Sequence, residues 1–357
     1  MASEPRRKAL KYGIVAIVAA VVAGVGGYAA WQAARPAPAP TPTPAPVEKP
    51  IKVAAIYVTP LEEPWNTVLH ESLTWAQENL GIEYVYSEKV DTADAERVAR
   101  EFIDAGVDVL FTHSWGYHPV AIKLGEEFPD LALAQGSGPT DIEWPPNIVL
   151  YDYWIQDAAY LAGMAAGMMT KGDQIGVVTA YAVPDVNRLV NGYIAGAKSV
   201  NPNVKASVVY LESWFDPVRA KEAARAMIDG GVDFIYAERF GVFEAIREAD
   251  KVGQVYAFGN IVDQSPLDPE VVLASIVWDL HSFVELLVEM AKTNTWQGGI
   301  YDWGMKEGWA KLVWNEDLKA KVVPKDVLEA IEAKQEEMLK GEFAAPIYED
   351  WVPERWE

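Results

Sequence analysis

From Lys52 onward, short apolar runs rich in β-branched residues alternate with longer amphipathic stretches. Apolar runs bounded by turn residues predict strands, and apolar positions recurring every three or four residues predict helices. Strands are expected at Lys52–Val58, Glu83–Tyr86, Asp108–Thr112, Leu131–Ala134 and Ile148–Tyr151. A second set is expected at Gln174–Thr179, Lys205–Tyr210, Asp233–Ala237, Val255–Phe258 and Val271–Ser275. Between them the pattern predicts helices at Asn66–Asn79, Ala93–Ala105, Pro119–Glu127, Asp157–Met169, Val186–Val200, Pro217–Asp229 and Val242–Val252, with another from Ile276 to Lys292. Alternating strands and helices imply parallel sheets covered on both faces, an α/β architecture. The tail from Asn294 is rich in Trp and Gly, with one helix expected at Lys325–Lys340.

The pattern also repeats. Arg97–Phe111 reads RVAREFIDAGVDVLF and Glu222–Tyr236 reads EAARAMIDGGVDFIY. Gly106 aligns with Gly231, and Asp108 with Asp233, at one constant shift of 125 residues. Each copy is an amphipathic helix, a glycine turn and a buried strand, half of a βαβ unit. Each then runs into an aromatic–glycine pair, Trp115-Gly116 and Phe240-Gly241. Two similar lobes imply a cleft between them, a common place for small ligands. On this reading lobe 1 is 51–151 with about 276–300, and lobe 2 is 152–275 with about 301–345. The hinge is expected near 152, 275 and one later crossing.

Upstream of the folded body the pattern changes. Residues 1–11 carry Arg6, Arg7, Lys8 and Lys11, and 12–31 is a 20-residue run without a charge. Such a run spans a hydrocarbon core of ~30 Å as a helix, and the basic flank predicts its N-terminus inside and the body outside. Residues 32–50 form a linker whose PAPAPTPTPAPVEKP segment reads as an extended polyproline spacer. Two readings compete. The run is a single-pass anchor, or it is a cleaved signal with small residues at Ala29, Ala30, Ala33 and Ala34. Arg6–Lys11 also loosely resembles a twin-arginine export signal. The run exceeds the ~7–15 apolar residues of a signal core, and a Pro-rich stalk suits a tether, so the anchor is favoured. Either way the body is exported, at the cell membrane.

Composition narrows the function. The chain has 357 residues, and those after the linker are enough for two lobes of ordinary size. It holds no cysteine, so disulfides, thiolate metal sites, thiol nucleophiles and lipidated cysteines are excluded. Lys plus Arg number 30 against 52 Asp plus Glu, a formal charge of −22. An acidic exported body repels nucleic acid and anionic lipid. There are four histidines; His113 and His118 share a loop, but no metal-ligand spacing joins them. Gly-x-Ser-x-Gly and phosphate-loop motifs are absent from the sequence. Neither a catalytic group, a metal nor a cofactor is expected.

Candidate ligand contacts sit where strands end, because ligands of open α/β sheets lie outside the carboxyl ends of the strands. Pro64-Trp65-Asn66 opens one lobe and Pro184-Asp185-Val186-Asn187 the other. An Asn there serves equally well as a helix cap. Trp65, Trp115, Trp214 and Trp278 follow strand ends or turns; among 14 Trp many are packing, but flat aromatic walls grip flat ligands. The polar candidates are Asn66, Ser114, Tyr117, Asp185, Asn187, Glu238, Arg239, Asn260 and Asp263. Glu238 and Arg239 align with His113 and Ser114 in the repeat, and an ion pair between them is the competing reading. The Ala158–Gly167 stretch AAYLAGMAAG reads as a close-packing helix.

Together, Pro64-Trp65-Asn66, Ala158–Gly167, Asn201-Pro202, Trp214-Phe215-Asp216-Pro217 and Ser275-Ile276-Val277-Trp278 resemble the basic membrane protein family of solute-binding proteins, related to purine nucleoside receptor lipoproteins. The resemblance runs from Lys52 to Leu280. It implies a type I periplasmic-binding-protein fold with two Rossmann-like lobes joined by three crossings. It also implies service to an ABC permease and ATPase, and a purine base or nucleoside held between aromatic rings. The nucleoside-receptor branch has Ser-Phe-Asn where this chain has Pro64-Trp65-Asn66. It has Gly-x-Asp-x-Asp-Gln where this chain has Gly259-Asn260-Ile261-Val262-Asp263-Gln264, and a lysine where this chain has Trp278. The acid and lysine that hold a ribose are therefore missing, which implies a flatter, less hydroxylated ligand. The lipid-acceptor cysteine is missing too, and the N-terminal helix would replace it. The expected function is a tethered solute-binding protein, not an enzyme. The alternatives are a membrane-anchored sensor acting through a partner and a nucleoside-processing enzyme, the latter without an acid–base constellation.

Overall fold

The alternating pattern folds into two six-stranded sheets of one design. The computed structural model describes residues 49–356. The segment 1–11, the run 12–31 and most of the 32–50 linker lie outside the described residues, and with them the expected membrane anchor. No helix among the described residues is long and apolar enough to cross a membrane.

The first half runs β1 Lys52–Tyr57, α1 Pro64–Leu80, β2 Glu83–Ser87, α2 Ala95–Asp104, β3 Val109–His113, α3 His118–Glu127, β4 Ala132–Gly136 and β5 Ile148–Tyr151. The second half runs α4 Gln156–Met169, β6 Gln174–Thr179, α5 Pro184–Val200, β7 Lys205–Tyr210, α6 Pro217–Asp229, β8 Phe234–Ala237, α7 Val242–Glu248, β9 Tyr256–Ile261 and β10 Val272–Trp278. The tail adds α8 His281–Lys292, β11 Gly299–Tyr301, β12 Ala310–Trp314, α9 Glu316–Val322 and α10 Lys325–Lys340. The sheet orders are β2-β1-β3-β4-β5-β11 and β7-β6-β8-β9-β10-β12. Every pairing is parallel except β10 with β12. The chain passes between the sheets at 152–155, 279–280 and 302–309.

The repeat has a physical basis in both lobes. Gly106 and Gly231 take φ of +75° and +96°, a region glycine enters without steric cost. The Asp108 carboxylate then accepts from Lys52 N at 2.7 Å, tying the start of β3 to that of β1. Asp233 does the same for the second sheet, accepting from Lys171 N and Thr170 Oγ1 at 2.7 Å each. Helices α4 and α5 approach so closely that a Cβ on Gly163 would lie 1.9 Å from the Tyr193 carbonyl oxygen, and one on Gly196 equally close to that of Tyr160.

Three expectations are corrected. The helix expected from Ile276 begins at His281, because β12 offers β10 an antiparallel partner out to Trp278, opposite Ala310. The helix from Val242 stops at Glu248, where Asp250 at φ +54° and Gly253 at φ +78° turn the chain out of the helical region. The tail is less irregular than its composition suggests: β11 completes the first sheet and β12 the second. Helix α8 packs on α1, and α10 on α4.

Candidate ligand site between the lobes

Both sheets reverse strand order between their first and third strands, which in open α/β sheets sets a crevice at the strands' carboxyl ends. The loops at those ends meet around a cavity whose empty space, open solvent included, is about 360 Å³. The first lobe contributes Val58, Thr59, Glu63, Trp65, Ser114, Trp115 and Ser137, and the first crossing contributes Tyr153. The second lobe contributes Asp185, Trp214 and Arg239.

Trp65 is held by several neighbours. Glu63 is the N-cap of α1, its Oε2 accepting from Trp65 N at 3.1 Å with Pro64 in the first turn. The indole stacks on the His113 imidazole with ring centroids 4.4 Å apart and planes 10° apart. Trp65 Nε1 donates to the His113 carbonyl at 3.2 Å, and His113 Nε2 donates back to the Trp65 carbonyl at 2.6 Å. Burial pushes the imidazole down to about 3, so it is neutral. With its proton on Nε2, Nδ1 accepts from the Tyr151 hydroxyl at 2.7 Å. Trp278 stacks behind Trp65 at 5.2 Å, and Tyr153 meets it edge-on at 5.0 Å.

The polar side of the cavity joins the lobes. Arg239 is bidentate to Glu238, Nε to Oε2 at 2.7 Å and Nη2 to Oε1 at 2.6 Å. Its Nη1 reaches across the cleft to Glu63 Oε1 at 2.6 Å and also donates to the Trp214 carbonyl at 3.1 Å. Burial raises the Glu63 carboxyl to about 7, against the pull of Arg239 and with help from the Glu238 charge. A second bridge runs from Ser137 Oγ to Asp185 Oδ2 at 2.9 Å. Asp185 Oδ1 is buried with no hydrogen-bond partner among the described residues. Behind it Arg188, 1% exposed, donates to Asp152 Oδ2 at 2.5 Å and to Glu349 Oε1 at 2.7 Å, its guanidinium 3.7 Å above the Trp154 ring.

Of the residues singled out from sequence, Trp65, Ser114, Trp115, Asp185, Trp214 and Arg239 line this cavity. The others are engaged elsewhere. Asn66 Nδ2 donates to Thr59 O, Thr59 Oγ1 and Pro60 O, bracing the β1–α1 turn. The Tyr117 hydroxyl donates to Val90 O in the first lobe's core. Asn187 accepts from the Tyr210 hydroxyl and donates to Glu349 O, fastening the C-terminal tail. Glu238 accepts from Thr179 Oγ1 and Ala180 N while holding Arg239. Asn260 links Glu238 to the Tyr236 hydroxyl. Asp263 accepts from Ser265 N in its own turn and from Ser275 Oγ of β10. Trp278, 1% exposed, backs Trp65 rather than facing the cavity. Sequence reading missed Glu63, Ser137 and Tyr153. An acid just before Pro64 is a helix-start signal that marks Glu63; Ser137 and Tyr153 carry no comparable signal.

The chain is similar to known proteins in sequence and in fold. Residues 51–346 match a family model described as ABC transporter substrate-binding protein, PnrA-like. A putative ABC transporter glucose-binding protein of Haloferax volcanii is 32% identical over 263 residues, 73% of this chain and 65% of that protein's length. A purine-binding protein of Brucella abortus is 30% identical over 307 residues, covering 84% of this chain and 85% of the other. Among solved structures, an ABC transporter solute-binding protein of Aeropyrum pernix superposes with a TM-score of 0.74 at 20% identity, covering 83% of this chain and 94% of that one, and so shares the fold. With two lobes closed on a lined cleft and a family model spanning nearly the whole folded body, the chain belongs to the PnrA-like family of ABC transporter substrate-binding proteins, which bind solutes and do not transform them.

Proposed function

We propose that this protein is the extracytoplasmic receptor of an ABC importer, tethered by its N-terminal apolar run. It captures a small flat ligand, a purine base or nucleoside, in the inter-lobe cleft and hands it to a permease and its ATPase. The observation that carries the reading is the cavity wall. Four aromatic residues, Trp65, Trp115, Tyr153 and Trp214, stand around it, while most of its polar groups already satisfy one another. The relatives' printed names point two ways, to a purine and to glucose. A sugar carries a hydroxyl on nearly every carbon, and each left unpaired in a closed cavity costs ~1–3 kcal/mol. A purine offers two flat faces to the rings and few polar edge atoms, one of them an N–H for Asp185 Oδ1. Ligand contacts to both lobes shift the open–closed equilibrium toward closure, the form a permease recognises.

The test is a thermal-shift panel on residues 51–357 with adenine, guanine, their nucleosides and glucose. Ligand at 100 times its dissociation constant adds about 2.7 kcal/mol. A rise with purines alone is the expected result; a rise with glucose alone overturns the purine assignment and leaves the receptor role.

A further inference from the structure

The inner cavity is not the only chamber in the cleft. A second one, with about 180 Å³ of empty space when open solvent is included, lies against it and is lined by Phe215, Asp216, Pro217 and Phe240. The two chambers share Glu63, Trp214 and Arg239 as common lining. The partition is therefore the Glu63–Arg239 ion pair with Trp214 beside it. Phe215, on the wall of the second chamber, is 43% exposed.

Three features make this partition more than packing. Its halves come from opposite lobes, Glu63 from the β1–α1 turn and Arg239 from the end of β8, so it exists only when the lobes are shut. Both side chains are more than nine-tenths buried. Arg239 is fixed in place by its two bonds to Glu238 and one to the Trp214 carbonyl, so it is not free to swing aside. A ligand group projecting past this partition meets the 2.6 Å Glu63–Arg239 contact. Breaking one side of a buried pair leaves a desolvated, uncompensated charge.

We propose that Glu63 and Arg239 are the specificity-determining pair of this receptor: they confine the closed-state ligand to the inner chamber, so a bare ring is accepted and the same ring bearing a sugar is rejected. This rests on the proposed purine-receptor reading and sharpens it from base or nucleoside to base. Glu63 also caps the helix that carries Trp65, so the partition and the principal stacking ring are held by one carboxylate.

The experiment compares dissociation constants of adenine and adenosine by calorimetry for the wild-type chain, Glu63→Ser and Glu63→Gln. Serine keeps an N-cap oxygen for α1 but does not reach Arg239; Arg239 stays paired with Glu238, which protects folding. Glutamine keeps both the reach and the bulk. In the wild type adenine binds more tightly. In Glu63→Ser the adenosine-to-adenine ratio falls at least about tenfold, and Glu63→Gln restores most of it. An unchanged ratio in Glu63→Ser, with adenine still bound, overturns the partition and leaves the receptor reading intact. If glucose proves to be the ligand, the same comparison is made with glucose and methyl glucoside, and a collapsing ratio supports the partition though the purine reading has failed. A wild-type chain that binds none of these probes overturns both.

Discussion

Replacing Arg188 by leucine is the sharpest test of the charge network behind the cleft. The guanidinium is almost wholly buried, bonded to Asp152 at the first crossing and to Glu349 in the tail. Leucine fills much of the space but leaves two buried carboxyls, Asp152 and Asp185, without their cation. In the intact protein burial raises Asp152 from 3.8 to about 7, with Arg188 opposing the rise and Asp185 adding to it. Burial raises Asp185 as well, again against Arg188. Removing one partner of such a buried network costs ~3–5 kcal/mol, and that is the loss expected near pH 8. The pH dependence follows from the sign of these shifts. A carboxyl whose folded value lies above its unfolded value binds more protons in the native state, so its contribution is present at low pH and fades as pH rises through the folded value. Without Arg188 both values rise further, and protonating either carboxyl recovers up to ~1.4 kcal/mol for each pH unit. The deficit of Arg188→Leu should therefore shrink as pH falls from about 8 to about 7, and flatten below the value Asp152 already has in the intact protein, where its carboxyl is neutral in both chains. The assay is urea unfolding of both proteins across and below that range, with Asp152→Asn/Arg188→Leu as a third chain. A deficit that stays constant with pH, or a double variant no more stable than Arg188→Leu near pH 8, would refute the account.

Trp65→Ala should weaken purine binding by ~1–3 kcal/mol of lost stacking, about 5- to 150-fold by calorimetry, with Trp65→Phe retaining most of it. Gly163→Ala should lower the melting temperature strongly, since the new methyl would sit 1.9 Å from the Tyr193 carbonyl oxygen and force α4 off α5. Gly106→Ala, with open space around it but φ of +75°, should cost only ~1 kcal/mol or so. Deleting residues 347–357 should speed amide exchange in the first two turns of α5. The deletion strips Asn187, Arg188 and Asn191 of their tail partners at Tyr348, Glu349 and Asp350.

The lobes were legible in the sequence because their signals are local. A glycine at positive φ followed by a strand-entry aspartate recurs at Gly106-Val107-Asp108 and Gly231-Val232-Asp233, and each aspartate accepts a backbone N–H at or just before the lobe's first strand. The tail was not legible, since β11 and β12 are strands only by virtue of partners some 150 and 40 residues earlier, Val149–Tyr151 and Ala274–Trp278. The site lies between these cases. Trp65 and Asp185 stand out as residues at strand ends. Asn66 and Asn187 look the same from sequence, yet their amides face the backbone of a turn and of the tail. Which way a side chain points from the first turn of a helix depends on what packs there. In both instances that partner is far away or irregular in sequence.

A duplicated scaffold here makes an unsymmetrical site. At the end of its third strand one lobe carries His113-Ser114 and the other Glu238-Arg239, at equivalent places in the repeat. Here the positions have divided the work. His113, kept neutral by burial, spends both ring nitrogens on fixing Trp65 and Tyr151. Glu238 spends its carboxylate on aiming Arg239 across the cleft. The partner that Arg239 meets, Glu63, comes from the turn that Trp65 follows, so the aromatic wall and the inter-lobe ion pair are built from one loop. A symmetric framework thus supplies the cleft, while the differences between its halves supply both the attraction that closes it and the ring face a ligand would meet.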